Sequence, residues 1–155
     1  MSAIGIPVSF YFQVTFQNSK GEIFQTSFTE VRGIGWKLTP QEERVLGLNV
    51  KSPGPITQNE LVLVRPIMIT GDAFTDWVKK CSIKLAFLSA KDKMLGVETC
   101  DVVVKLLSNS GNLVAVWSFC RAYPVDYSLG NLKSSESGLA TETVTLSYYF
   151  GWRAK

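Results

Sequence analysis

The sequence predicts a mainly β fold: an antiparallel β-barrel or sandwich of six to seven strands, with one short flanking α-helix and a long protruding loop. Three observations carry this. Segments of strict apolar/polar alternation recur along the chain, the mark of half-buried strands. Turn chemistry built on Gly, Asn, Ser and Asp separates them. Only one segment places apolar residues at helical spacing. The 155 residues fit one domain, 1–155. At this size a chain buries roughly 70% of its unfolded surface, enough for a core without staples.

Alternation opens the chain: Phe10, Phe12, Val14 and Phe16 share one face, and Tyr11, Gln13, Thr15 and Gln17 the other. Asn18-Ser19-Lys20-Gly21 is a turn, with Gly21 free to adopt positive φ. Ile23 to Val31 follows as a second strand and closes a hairpin, with Phe24 and Phe28 opposed to Gln25, Ser27 and Thr29. Gly33 and Gly35 flank a bend before Trp36, which reads as packed. Residues 37–59 hold three prolines and two glycines with no clean period. They read either as a long loop or as a protruding, weakly paired hairpin; loops this long are usually functional or disordered.

Leu61 to Ile69 is a short apolar strand, and Pro66 marks an edge or a strand end. Asp72 is a good N-cap for a helix over Ala73 to Cys81, whose Phe74, Trp77 and Val78 plug the core. Lys79 and Lys80 fall in its last turn. Residues 82–99 are ambiguous: Ile83, Leu85 and Phe87 alternate, while LSAKDKMLG is turn-like or weakly helical. Asp101–Leu107 and Leu113–Tyr123 form the clearest hairpin, around a loop with Gly111 in a left-handed position. Its second arm reads as buried on both faces, and Pro124 ends or bends it. A polar connector over 126–140 leads to a last strand, Thr141 to Phe150. There Val144, Leu146 and Tyr148 oppose Thr141, Thr143, Thr145 and Ser147.

Composition narrows the function. Apolar residues at 46% and charged residues at 19% exclude a disordered chain. The low charge fits a domain that hides part of its surface against partners. Net charge is +3, with basic and acidic residues interspersed, so no basic arm or acidic tail points to nucleic acid. Histidine is absent, which removes Ser-His-Asp and Cys-His catalysis and imidazole zinc sites. No phosphate-binding glycine motif is present. The chain is therefore read as a non-enzyme with no catalytic residue, no metal ligand and no cofactor. Cys81, Cys100 and Cys120 lack C-x-x-C spacing and read as free, buried thiols in a reducing compartment, a Cys100–Cys120 bridge being the alternative. MSAIGIPVSF lacks the charged and apolar regions of a signal peptide, and no apolar run approaches a membrane span. The expectation is synthesis in a cytoplasm without membrane insertion.

The polar faces are short and neutral where a free barrel surface carries mixed Lys and Glu. Such faces fit a channel lining or a subunit contact; an ordinary solvated sheet face is the alternative. Lys105, Arg121 and Asp101 offer a charged lining instead.

The order of pieces resembles one known family. An aromatic first strand (Phe10-Tyr11-Phe12) after Pro7 leads to Phe28-Thr29-Glu30-Val31-Arg32-Gly33-Ile34. A Gly- and Pro-containing long loop precedes Leu61-Val62-Leu63-Val64-Arg65-Pro66-Ile67, and then Phe74-Thr75-Asp76-Trp77-Val78. The end carries Val116-Trp117-Ser118-Phe119, Ala122-Tyr123-Pro124-Val125, Leu129-Gly130-Asn131-Leu132 and a strand from Ala140 to Leu146. In this order the chain is similar to the tail tube proteins of contractile phages and phage-tail-like injection systems. The resemblance implies a β-barrel with one flanking helix, hexameric rings stacked into a hollow tube inside a sheath, and a lumen for cargo or DNA. It implies self-association and sheath, baseplate and cap proteins as partners. It also implies a particle assembled in bacteria and released in some systems. Glu43-Arg44-Val45-Leu46-Gly47 matches the family's loop run only in part, so a tube-initiator ring at the baseplate stands beside the main tube subunit. A monomeric ligand-binding barrel is the reading from another class.

Within that frame three residue sets are expected at contacts. Leu38, Arg44, Leu46, Leu48, Val50 and Ile56 of the long loop would stack rings. Phe10, Phe12, Phe16, Tyr148 and Phe150, on first and last strands joined edge to edge, would close the ring laterally. Gln13, Thr15, Gln25, Ser27, Thr143 and Thr145 would face the lumen.

Overall fold

The computed structural model describes residues 10–87, 97–130, 132 and 140–155. Pro7, the LSAKDKMLG stretch at 88–96 and the connector at 131 and 133–139 lie outside the described residues. The strands are β1 (Phe10–Asn18), β2 (Ile23–Phe28), β3 (Glu30–Arg32), β4 (Trp36–Leu38), β5 (Gln41–Val45), β6 (Leu48–Ser52), β7 (Ile56–Gln58) and β8 (Leu61–Pro66). After helix α1 (Ala73–Phe87) come β9 (Cys100–Ser108), β10 (Leu113–Leu129), β11 (Thr141–Ser147) and β12 (Phe150–Arg153).

The main sheet runs β2-β1-β9-β10-β11-β8-β3, with β12 also on β10. Strand β10 carries the architecture. Its first part pairs with β9 and β12, and its second with β11. Register shifts fall between Phe119 and Ala122 and between Pro124 and Asp126, and Arg121 has φ 53. Such bulges bend a strand around a corner, so Pro124 bends β10 and does not end it. The sheet folds over on itself as a sandwich. Its two ends, β2 and β3, are consecutive in the chain and separated by Thr29 alone, whose N–H and hydroxyl both donate to the Val64 carbonyl. The ladder order stays open there.

The turns follow their chemistry. Asn18 Oδ1 accepts the N–H groups of Lys20 and Glu22, and Gly21 takes φ 84. Gly111, at φ 82, donates its N–H to the Ser108 carbonyl in the β9–β10 hairpin. At Gly33 a Cβ would run into the carbonyl of Glu60, so the bend there needs glycine.

Helix α1 is longer than the spacing predicts. Cys81 continues the buried stripe of Phe74, Trp77 and Val78, and Leu85 follows at the next turn, half-buried. The apparent alternation of Ile83 and Phe87 therefore faces solvent on a helix. The sandwich interior is filled by Val14, Phe16, Phe28, Leu61, Leu63, Val102, Val104, Phe119, Val144 and Leu146. Helix α1 lays Phe74 and Trp77 against Phe16, with ring centroids 5.1 and 5.6 Å apart, and Phe16 stacks on Phe24 at 5.0 Å.

One charged residue sits inside this core. Arg65 is 1% exposed, and all its donors are used. Nε donates to Glu142 Oε1 at 2.6 Å. The two terminal nitrogens fork onto Asp72 at 2.7 and 3.0 Å and reach Thr26 Oγ1 and Thr75 Oγ1 at 2.9 and 3.1 Å. Glu142 accepts a second bond from the Tyr127 hydroxyl at 2.8 Å. Asp72 caps α1 through the Thr75 N–H. Four elements, β2, β8, β11 and α1, thus meet at one guanidinium, which links β8 to β2, a strand it shares no ladder with. Burial opposes the charge on Arg65, but its bonds to Asp72 and Glu142 outweigh that and hold its pKa above that of an ordinary guanidinium. Donation from Arg65 holds the Asp72 carboxyl well below its ordinary 3.8.

All three cysteines are free, Cys81 and Cys100 buried and Cys120 half-buried. Burial pushes the Cys81 thiol up to about 11 and the Cys100 thiol to about 12.

Candidate assembly surfaces

Residues 37–59 take the hairpin form of the two open readings. A β4–β7 pair makes the root and a β5–β6 pair the outer part. Directly opposed residues of an antiparallel pair share a face, and the pairs Glu43↔Val50 and Val45↔Leu48 put Val45, Leu48 and Val50 together. The other face carries Glu42, Arg44, Asn49 and Lys51. The arm is therefore an amphipathic ribbon whose apolar face nothing in the described chain covers. Arg44, expected at the stacking contact, lies on the opposite face from Leu48 and Val50. The turn is Leu46-Gly47, with φ 51 and 80. A two-residue turn with both φ positive favours Asn-Gly, so leucine there is strained, and its side chain is 97% exposed.

At the arm's root lies a groove of ≈ 410 Å3 between β4–β7 and the β10–β12 pair. Trp36, which the sequence read as packed, stands at its rim 62% exposed because the bend turns it onto the arm. Phe150 and Trp152, each 47% exposed, form the other wall, and Arg153 is the only charged residue among the lining residues. Tyr148 also lines the groove, and its buried hydroxyl has no hydrogen-bond partner among the described residues. A buried hydroxyl left unpaired costs about 1–3 kcal/mol.

The lateral set is corrected in two ways. Phe16 is fully buried, Tyr148 packs on Phe119 with centroids 4.7 Å apart, and Phe12 is packed against the core. These rings serve the chain's own interior, because α1 adds a layer that the sequence count of aromatics left out. Strand β1 carries β2 and β9, and β11 carries β10 and β8, so neither has a free ladder edge. Of the expected set Phe150 remains exposed, on β12; the Phe10 side chain lies outside the described residues.

The lumen set divides. Thr15 pairs with Gln25, and Gln13 with Ser27, on the outward face of β1–β2. Lys105 sits opposite Gln13 and Val103 opposite Thr15, so this face mixes neutral residues with a cation. Thr143 and Thr145 belong to another stretch, facing Val64 and Val62 of β8, and share no ladder with the first four.

The fold and these surfaces now bear comparison with known proteins. A model of the T4-like virus tail tube protein gp19 family matches residues 8–151. The chain belongs to the T4-like tail tube family. This is a family of structural tube proteins, not enzymes. No match was found among curated proteins. Among solved structures, a chain of the anti-feeding prophage baseplate is 23% identical, with TM-score 0.77, over 99% of this chain and 97% of that one. A chain of the extracellular contractile injection system PVC sheath–tube complex is 18% identical, with TM-score 0.72, over 98% and 93%. Hcp1 from Flavobacterium johnsoniae is 15% identical, with TM-score 0.52, over 91% and 94%. At these identities the likeness shows a shared fold.

Proposed function

We propose that this chain is the structural subunit of the hollow inner tube of a contractile phage tail or phage-tail-like injection particle. It forms hexameric rings that stack inside a sheath, between baseplate and cap proteins, and enclose a conduit for cargo or DNA. It is made in a bacterial cytoplasm and assembled there into the particle. The observation that carries this reading is the arm: a folded domain holds out an amphipathic ribbon with Leu46, Leu48 and Val50 uncovered. Such a surface belongs against another molecule, and membership of the tail tube family supplies the context. In the tube the arm makes the ring-to-ring contact. Gln13, Thr15, Gln25 and Ser27 are the best-placed lumen residues, since they form one continuous polar face.

The test is direct. The purified chain is expected to elute at several times 17.2 kDa and to show annuli and tubes by negative stain. Deleting Glu43–Pro53 should leave a folded sandwich that no longer stacks. A wild-type chain that stays monomeric at all concentrations overturns the tube reading; tubes of normal length from the deletion variant overturn the role of the arm.

A further inference from the structure

We propose that the aromatic groove at the arm's root is the receptor for the arm of a second copy of this chain, with Glu43 of one copy paired to Arg153 of the other. The proposal rests on the tube reading and goes further by naming both halves of the contact.

The apolar face of the ribbon carries Val45, Leu48 and Val50, and its one charged side chain is Glu43, directly opposite Val50. No ion pair or hydrogen bond engages the Glu43 carboxylate among the described residues. The groove repeats this composition with the sign reversed. Its lining is Trp36, Ile56, Phe150, Trp152 and their neighbours, and the only charge on it is Arg153. The Arg153 guanidinium lies over the Trp117 ring at 5.9 Å and donates through Nε to the Lys155 carbonyl, which leaves its terminal nitrogens for a carboxylate. Tyr148 is also among the residues that line the groove.

The arm cannot fill its own groove. None of residues 43–50 is among those that line it. The two surfaces therefore meet only between copies. The contact is of unlike patches, arm to groove, and unlike-patch contacts propagate as rings or as open stacks. Its size fits that role. Trp36, Phe150 and Trp152 leave on the order of 300 Å2 of ring surface uncovered. That falls short of the about 800 Å2 per partner of a stand-alone interface, so one contact does not hold a pair of chains. Repeated around a ring, it does. The strained, exposed Leu46 at the tip is consistent with a residue kept for a partner at the expense of the free chain.

The experiment is a charge exchange in the full chain: Glu43→Arg, Arg153→Glu and the double variant carrying both. Both positions are exposed, and circular dichroism and thermal unfolding verify that each variant folds as the wild type does. The critical concentration for assembly is read by sedimentation and negative stain. Each single variant should raise it about tenfold or more, because like charges then face each other across a partly buried contact. The double variant, with the pair restored in reverse, should return to within about threefold of wild type. Singles that assemble like wild type, or a double variant no better than the singles, overturn the proposal while leaving the tube reading intact. A wild-type chain that never assembles overturns both.

Discussion

Replacing Arg65 by methionine tests what holds the sandwich together. Methionine keeps the apolar stem and the approximate length but brings no donor. Glu142 at 4% exposure, Thr26 and Thr75 would each lose a hydrogen bond and Asp72 two, and both carboxylates would remain with no cation between them. Breaking a buried charge network by removing one partner costs about 3–5 kcal/mol. A domain of this kind has about 5–15 kcal/mol in all. The expected fall in melting temperature is about 6–20 °C, at about 2–4 °C per kcal/mol. Glu142→Gln is the informative contrast. Its amide oxygen still accepts from Arg65 Nε, and the site loses one of two carboxylates facing a single guanidinium, so the cost should be about 1 kcal/mol. Urea titration of the unassembled chain, with an unchanged m-value, gives each number. The double variant Arg65→Met with Glu142→Met should cost less than the sum of its singles, because it leaves one fewer unpaired charge buried. An Arg65→Met variant within about 1 kcal/mol of wild type, or strict additivity in the double, would refute the reasoning.

Two further outcomes follow from titrations and burial. Asp72 is depressed in the folded state, so its contribution is whole above its ordinary 3.8 and fades as pH falls below that value. The gap in melting temperature between wild type and Asp72→Asn should therefore be constant from about pH 5 to 8 and shrink below about pH 4; a gap that widens on acidification contradicts the assigned sign. With Cys81 and Cys100 raised to about 11 and 12 and buried, only Cys120 should react with iodoacetamide at pH 8 in the native chain, and all three after unfolding. Mass spectrometry counts the adducts, and rapid native labelling of Cys81 or Cys100 would contradict their place in the core.

Much of the fold was legible because burial in a two-sided sheet writes itself as period two. Val14 and Phe16, and Val144 and Leu146, are buried as the alternation requires. The Arg65 network was legible in part and missed. Arg65 continues the inward series Leu61, Leu63, and Glu142 precedes the inward series Val144, Leu146, so two opposite charges stand on core-facing positions of neighbouring strands. That coincidence is a signal for a buried ion pair. The third member, Asp72, was visible only as a helix cap. The edges were not legible at all. Which strand is central depends on pairing, and pairing of β1 with β9 joins residues some ninety positions apart. No local pattern encodes that. The arm's faces were hidden for a related reason: the turn at Leu46-Gly47 sets the β5–β6 register, and only the register shows that Glu43 stands with the apolar residues and Arg44 does not.

The two halves of the molecule divide folding from assembly. The sandwich has its rings, its aliphatic core and a fully bonded arginine. The arm has none of these: its β5 and β6 side chains are almost all exposed, and a two-stranded ribbon alone is marginal in water. On the proposed tube reading, contact with a second copy supplies both the apolar cover and the order of the ribbon. Ordering a ribbon on contact reduces the net affinity of each single engagement. A tube subunit benefits from that arrangement. Chains with weak single contacts stay apart at low concentration, and only a closed array, where many arms are held at once, gains enough to persist.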